Sequence, residues 1–149
     1  MRIFHTSLAI ILTVLMSACA TGPKHAEVSS SMPTLNASQG RIFFYRNASI
    51  FGAALAPSIL LNDKIVGDSQ TGGFFYVDQT AGPQTVSTAT EVEKKLTFIL
   101  DAGQIRYVRT YVGFGIIVGR VYPELVDNAE GAKEIVETNY TGAVKGPIK

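Results

Sequence analysis

The chain has 149 residues, 13 basic and 12 acidic, for a formal charge of +1. Hydrophobic residues make up 46% and charged residues 17%, which excludes a disordered polar chain and leaves no field to steer a phosphate polymer, so no nucleic-acid partner is expected. A single cysteine excludes an internal disulfide.

The first segment reads as a sorting signal. Arg2 and His5 form a short basic stretch, and Leu8 to Leu15 (LAIILTVL) a short apolar one. It is far below the ~20 residues of a membrane-spanning helix. Ser17 and Ala18 are the small residues that precede a cleavage site. Cys19, the only thiol in the chain, follows directly. Met16 to Cys19 (MSAC) resembles the lipobox of bacterial lipoproteins, with Met16 where Leu is usual. The resemblance implies a signal peptide over 1–18, diacylglycerol on the Cys19 thiol and a further acyl chain on its amine. Two or more chains anchor a protein stably without a transmembrane helix. Ala20, rather than Asp, after the cysteine implies the outer membrane, with a periplasm-facing domain.

Residues 20–39 (ATGPKHAEVSSSMPTLNASQ) are small, polar and Pro-containing, without apolar periodicity. With Cys19 they are expected to form a flexible tether over 19–39.

From Gly40 the pattern changes. Arg41 to Arg46 (RIFFYR) is an aromatic strand bounded by Gly40 and Asn47. Ser58 to Leu61 is a second, and Asn62-Asp63 a hairpin turn into Lys64 to Gly67. Gly72-Gly73 breaks the chain before Phe74 to Val77, and Ala81-Gly82-Pro83 is a further turn. Thr85 to Thr90, Lys95 to Leu100 and Ile105 to Val112 follow, the last alternating, with Tyr107 and Arg109 on one face and Val108 and Thr110 on the other. Ile116 to Tyr122 reads as the last strand. Ala129 to Thr138 reads as a helix with Ala132, Ile135 and Val136 on its inner side. The tail, 139–149, is expected to fray. Short strands at this spacing, punctuated by Gly, Pro and Asn, predict an all-β fold over 40–138: a sandwich of about seven or eight antiparallel strands with one short C-terminal helix. The expected core is Ile42, Phe44, Ile59, Leu61, Val66, Phe75, Val77, Val86, Leu96, Phe98, Leu100, Tyr107, Val118 and Leu125.

The segments GRIFFYR, FGAALAPSILLNDKIVG, FFYVDQTAGPQTV, LDAGQIRYVR and VGFGIIVGRVYPELVD resemble a family of bacterial lipoproteins catalogued as domain of unknown function 2846. The run from Ile59 to Thr88 is also similar to PEGA and carboxypeptidase-regulatory-like modules, although Asp63 replaces the usual turn Gly. That similarity implies a prealbumin-like β-sandwich with an accessory or binding role.

From Gly40 onward there is no His and no Cys, which excludes Ser–His–Asp and Cys–His catalysis and the usual zinc sites. Gly113, Gly115 and Gly119 have the spacing G-x-G-x-x-x-G, which is no dinucleotide fingerprint. The carboxylates are scattered and form no paired spacing. No catalytic, cofactor-binding or metal-binding residue is expected, and no enzyme. Two features remain. Ser49 to Pro57 is apolar where polar turn residues belong. Either Ile50, Phe51 and Leu55 form a contact patch, or the segment closes the open end of the core. The glycines from 113 to 119 are expected to bend a strand, with Gly115 at positive φ if bent, and to bring Phe114 to the rim beside Ile50 and Phe51. Five arginines (Arg41, Arg46, Arg106, Arg109, Arg120) either form an anionic-ligand face or pair with carboxylates. The expectation is a non-catalytic, lipid-anchored envelope module that contacts a protein partner or serves structurally. The alternative is a small-ligand or glycan module binding cell-wall or lipopolysaccharide fragments.

Overall fold

A computed structural model describes residues 19–143; the signal-like segment, 1–18, and the end of the expected tail, 144–149, lie outside the described residues. The elements in order are α1 (His25–Ser29), β1 (Gln39–Tyr45), β2 (Ser58–Leu61), β3 (Lys64–Asp68), β4 (Gly73–Thr80), β5 (Gly82–Ala89), β6 (Glu93–Leu100), β7 (Ile105–Gly113), β8 (Arg120–Val126), α2 (Asn128–Glu134), a 3-10 turn (Ile135–Glu137) and β9 (Asn139–Tyr140). The strands form a five-stranded sheet, β8-β7-β1-β4-β9, and a four-stranded sheet, β3-β2-β5-β6. The fold is a β-sandwich, as the strand spacing predicts. It is not purely antiparallel: β1 runs parallel to β7, and β4 parallel to β9.

Alternation along β1 explains the core. Ile42 and Phe44 point between the sheets and meet Ile59, Leu61, Phe75, Val86, Phe98, Leu100 and Val108. Phe43 and Tyr45 point the other way, into a second cluster with Phe74, Tyr107, Val126 and Ile135. β1 is therefore buried on both faces, which suits its near-continuous apolar run. Val66, Val77, Leu96 and Leu125 are only partly buried against the first cluster. The β2–β3 hairpin turns through Asn62 at φ 51° and Asp63 at φ 65°, the left-handed pair a two-residue turn requires.

Four expectations need correction. Residues 20–39 are not a free tether. Ala20 is buried, its N–H donates to the Thr71 carbonyl at 3.2 Å, and Asn139 Nδ2 donates to the Ala20 carbonyl at 2.6 Å. His25 sets its ring edge against Phe43 and Phe74, at 5.6 and 5.4 Å between centroids. The segment is a strap over the outer aromatic face of the five-stranded sheet, held by apolar surface that composition alone does not reveal. The tail does not begin to fray at Asn139, because Asn139 and Tyr140 pair with Gly73 and Phe74 of β4. The last long strand is Arg120–Val126, and 114–119 is a loop, so Val118 is exposed rather than core. α2 turns Gly131 and, through the 3-10 turn, Ile135 inward; Ala132 and Val136 face outward. Gly131 faces inward because Tyr107 of β7 occupies the space a side chain there would take.

Candidate functional site

The parallel pairing of β1 and β7 decides what meets what. Both strands run toward the same end of the sandwich, so the loop after β1 (46–57) and the loop after β7 (114–119) emerge together. β5 ends there too, since Thr88 pairs with Ile59 at the start of β2, and the β5–β6 turn (90–92) joins them.

Each loop has its own fastening. Arg46, 3% exposed, reaches under the first loop and donates to the carbonyls of Leu55 (2.6 Å), Gly52 (2.7 Å) and Ser69 (3.0 Å). Ser69 and Thr110 hydroxyls bond each other at 2.8 Å beside it. The recess lined by Tyr45, Arg46, Ser69 and Thr110 is filled by these groups and leaves no room for a ligand. The second loop closes on Glu91. Its carboxylate accepts the N–H groups of Ile116 (2.8 Å) and Ile117 (3.0 Å) and pairs with Arg120 Nε at 3.1 Å. Gly119, at φ +102°, turns the chain into β8. Gly115 is not at positive φ; it is glycine because a side chain would meet the Glu91 carboxylate and, at 2.5 Å, the Gly119 nitrogen. A straight strand and a bent strand are both replaced here by a tight loop.

These fastenings hold apolar side chains out into solvent. Ile50 is 97% exposed, Phe114 88%, Ile116 87% and Ile117 85%; Phe51, Val92 and Val118 are exposed as well. Phe51 and Phe114 rings lie 5.7 Å apart, so the expected meeting of Phe114 with the Ile50–Phe51 loop is what the fold produces. Leu55 is different: it is half-buried, with its methyl near Gly119, and it closes the loop's base rather than its surface. The apolar stretch thus does both things the sequence left open. Ile116, Ile117 and Val92 belong to the patch and escape sequence reading, because an unbroken Ile-Ile-Val run reads as a strand. Cys19 is exposed and opens the strap at this same end: Ala20 bonds Thr71, and Thr71 Oγ1 accepts the Ser49 N–H at 3.0 Å, one residue from Ile50.

The arginines resolve mostly into internal pairs. Arg41 binds both oxygens of Asp78, at 2.6 and 2.7 Å. Arg109 is gripped by Glu124, Glu130 and Glu134, at 3.0, 2.7 and 2.9 Å. Burial would lower its pKa, but the three carboxylate bonds outweigh that and raise it. The Tyr45 hydroxyl donates to Glu134 at 2.6 Å, and burial, then that bond, pushes its pKa up. With Arg46 committed to carbonyls and Arg120 to Glu91, four of the five arginines are not offered to an anionic ligand.

One consequence of the Glu91 clasp is measurable. Glu91→Ala is expected to speed amide exchange at Ile116 and Ile117 by about tenfold or more, with β7 amides unchanged. The Ile117 N–H, then the Ile116 N–H and Arg120, hold the Glu91 pKa below its ordinary value despite some opposing desolvation. Its folded pKa lies below its unfolded one, so the clasp is complete above the ordinary carboxylate pKa of about 4.3 and is lost as pH falls through the lowered folded value. Exchange that is equally slow in the variant, or flat across that window, would contradict the clasp.

Comparison with known proteins bears on the same region. The family described as "Protein of unknown function (DUF2846)" matches residues 36–121, which include all three loops. A Haemophilus influenzae protein, itself described only as uncharacterized, is 29% identical over 143 residues, covering 93% of this chain and 84% of its own length. No solved structure matches the chain.

Proposed function

The chain belongs to the family of proteins of unknown function DUF2846, and we propose that it is a lipid-anchored, non-catalytic module of the bacterial cell envelope. The observation that carries this reading is the gathering of Ile50, Phe51, Phe114, Ile116 and Ile117 at the end where Cys19 opens the strap. An apolar cluster of this kind is a contact surface rather than a reaction site. The resemblance of Met16 to Cys19 to a lipobox supports the anchor, and Ala20 after the cysteine favours the outer membrane as its place. The filled recess beside Arg46 gives a small-molecule or glycan ligand no pocket there. The sandwich then serves as a rigid frame that presents two fastened loops.

Metabolic labelling with palmitate tests the anchor. The wild-type chain is expected to take up label and to lose the mass of residues 1–18, and Cys19→Ser to do neither. Label retained by Cys19→Ser, or absent from the wild type, would overturn the reading. Membrane fractionation alone is the weaker readout, because an uncleaved Leu8 to Leu15 segment is itself apolar.

A further inference from the structure

We infer that the apolar end of the sandwich docks into the bilayer that holds the anchor, with Ile50, Phe51, Phe114, Ile116 and Ile117 entering the acyl boundary of the leaflet. This rests on Cys19 being the lipidated residue.

Three observations select lipid as the occupant. The first is placement. Ala20, directly after Cys19, is already fixed to Thr71, which in turn holds Ser49. No slack separates the anchor from Ile50. A leaflet that holds acyl chains on Cys19 therefore has the loops at its surface, and the strap cannot act as a stand-off. The second is shape. Ile50, Phe114, Ile116 and Ile117 are 85% to 97% exposed and project as knobs, with Phe51 set against Phe114 between them. A fluid bilayer accepts such knobs without a matching surface, and affinity grows with the apolar area buried. The third is the backbone. A loop tip that enters lipid must satisfy its N–H groups without water. The amides of Ile116 and Ile117 are already bonded to Glu91, and Arg120 balances that carboxylate. These two amides therefore need no water when the tip meets the membrane. The nearest cations are committed elsewhere, Arg120 to Glu91, Lys95 to Glu93 and Lys94 to the Tyr122 ring, so a zwitterionic surface suffices.

The chain contains no tryptophan, so one substitution gives a single fluorescent reporter. The full acylated protein carrying Ile117→Trp is reconstituted with phosphatidylcholine vesicles whose acyl chains are brominated, and the vesicles are floated. Ile65→Trp, also at an exposed position but beside the turn at the opposite end, is the control. The expected result is that both proteins float, that Ile117→Trp loses about half its emission or more, and that Ile65→Trp loses almost none. Adding Ile50→Asp and Ile116→Asp, both at freely exposed positions, is expected to abolish the quenching while flotation persists. A floating protein with unquenched Ile117→Trp overturns the docking and leaves the anchor standing; the surface then faces a protein. Quenching that survives both aspartates also overturns it. A wild-type preparation that does not float overturns the anchor and the docking together.

Discussion

Arg46→Ala is expected to destabilise the sandwich by about 3 kcal/mol or more and to release the 46–57 loop. The guanidinium is buried without a carboxylate partner. Its charge is instead spread over three carbonyls, those of Gly52, Leu55 and Ser69. Charge-assisted bonds of this kind are about twice as strong as neutral ones. Burial lowers the Arg46 pKa, yet a guanidinium starts so high that it stays charged. Truncation removes the charge and takes a donor from three inward-facing carbonyls, of which Gly52 keeps the Leu55 N–H at 2.9 Å; each carbonyl left without a donor is a desolvation cost of about 1 kcal/mol or more. It also empties the space the side chain fills between β1 and the loop. Arg46→Lys is expected to recover only part of the loss, because one ammonium on a flexible stem lacks the planar fork that reaches three acceptors. Urea midpoints of the three proteins provide the measurement. A midpoint for Arg46→Ala within ~0.5 kcal/mol of wild type would mean that water replaces the guanidinium and that the loop is held by other contacts.

The same residue shows where sequence reading stops. Arg46 is visible as a charged residue at the end of an aromatic strand, and charge at a strand end reads as an ion pair or a ligand contact. That it serves backbone carbonyls depends on how the 46–57 loop folds back over it, and no local pattern encodes that. The strands themselves are legible wherever one face is buried and a turn residue bounds the run. Asn62-Asp63 is the clearest case, since few residues tolerate the positive φ both positions adopt. The last strand misleads for a physical reason. Ile116 to Val118 has the composition of a strand but sits in a loop, where exposure rather than pairing explains it. The true strand carries Arg120, Pro123 and Glu124, residues an edge position tolerates, and β8 is an edge strand.

The strap and the site fail and succeed through the same long-range fact. Residues 20–39 look like a spacer because their partners, Phe43 and Phe74, lie on an outer sheet face whose apolar character is known only once β1 is seen to be buried on both sides. Ile50, Phe51 and Phe114 stand out in the sequence because they are apolar where turns are usually polar. That they meet follows from the parallel pairing of β1 with β7, which joins segments more than sixty residues apart in the chain and has no signature in either strand alone.

Gly67→Val sets two principles against each other, and the outcome is expected to be a net loss of about 2 kcal/mol. Valine is among the best strand formers and glycine among the worst, so propensity in β3 favours the variant by up to ~1 kcal/mol. Packing opposes it. Gly67 is buried opposite Ile59, next to the register shift between Ile59 and Leu60. A Cβ at this position would lie 2.5 Å from Phe75 Cζ and 2.6 Å from Cε1. Phe75 belongs to the facing sheet, so its ring tip uses the gap that the missing side chain leaves between the two layers. The ring cannot swing aside, because it is itself fully buried and stacked on Phe44 at 5.0 Å. Accommodating even one methyl requires the two sheets to separate or both rings to leave their places, and overpacking of this kind costs about 1–3 kcal/mol, with valine at the upper end. The clash has one partner, which makes it separable from a general loss of strand order. Phe75→Leu alone should destabilise by creating space. In the Gly67→Ala background the same change should cost distinctly less, because the shortened side chain yields the gap the new methyl needs. A coupling of ~1 kcal/mol or more in that double-mutant cycle identifies the contact. Additive losses, or a urea midpoint that rises in Gly67→Val, would show that strand propensity governs β3 and that the Phe75 ring does not close the space between the sheets.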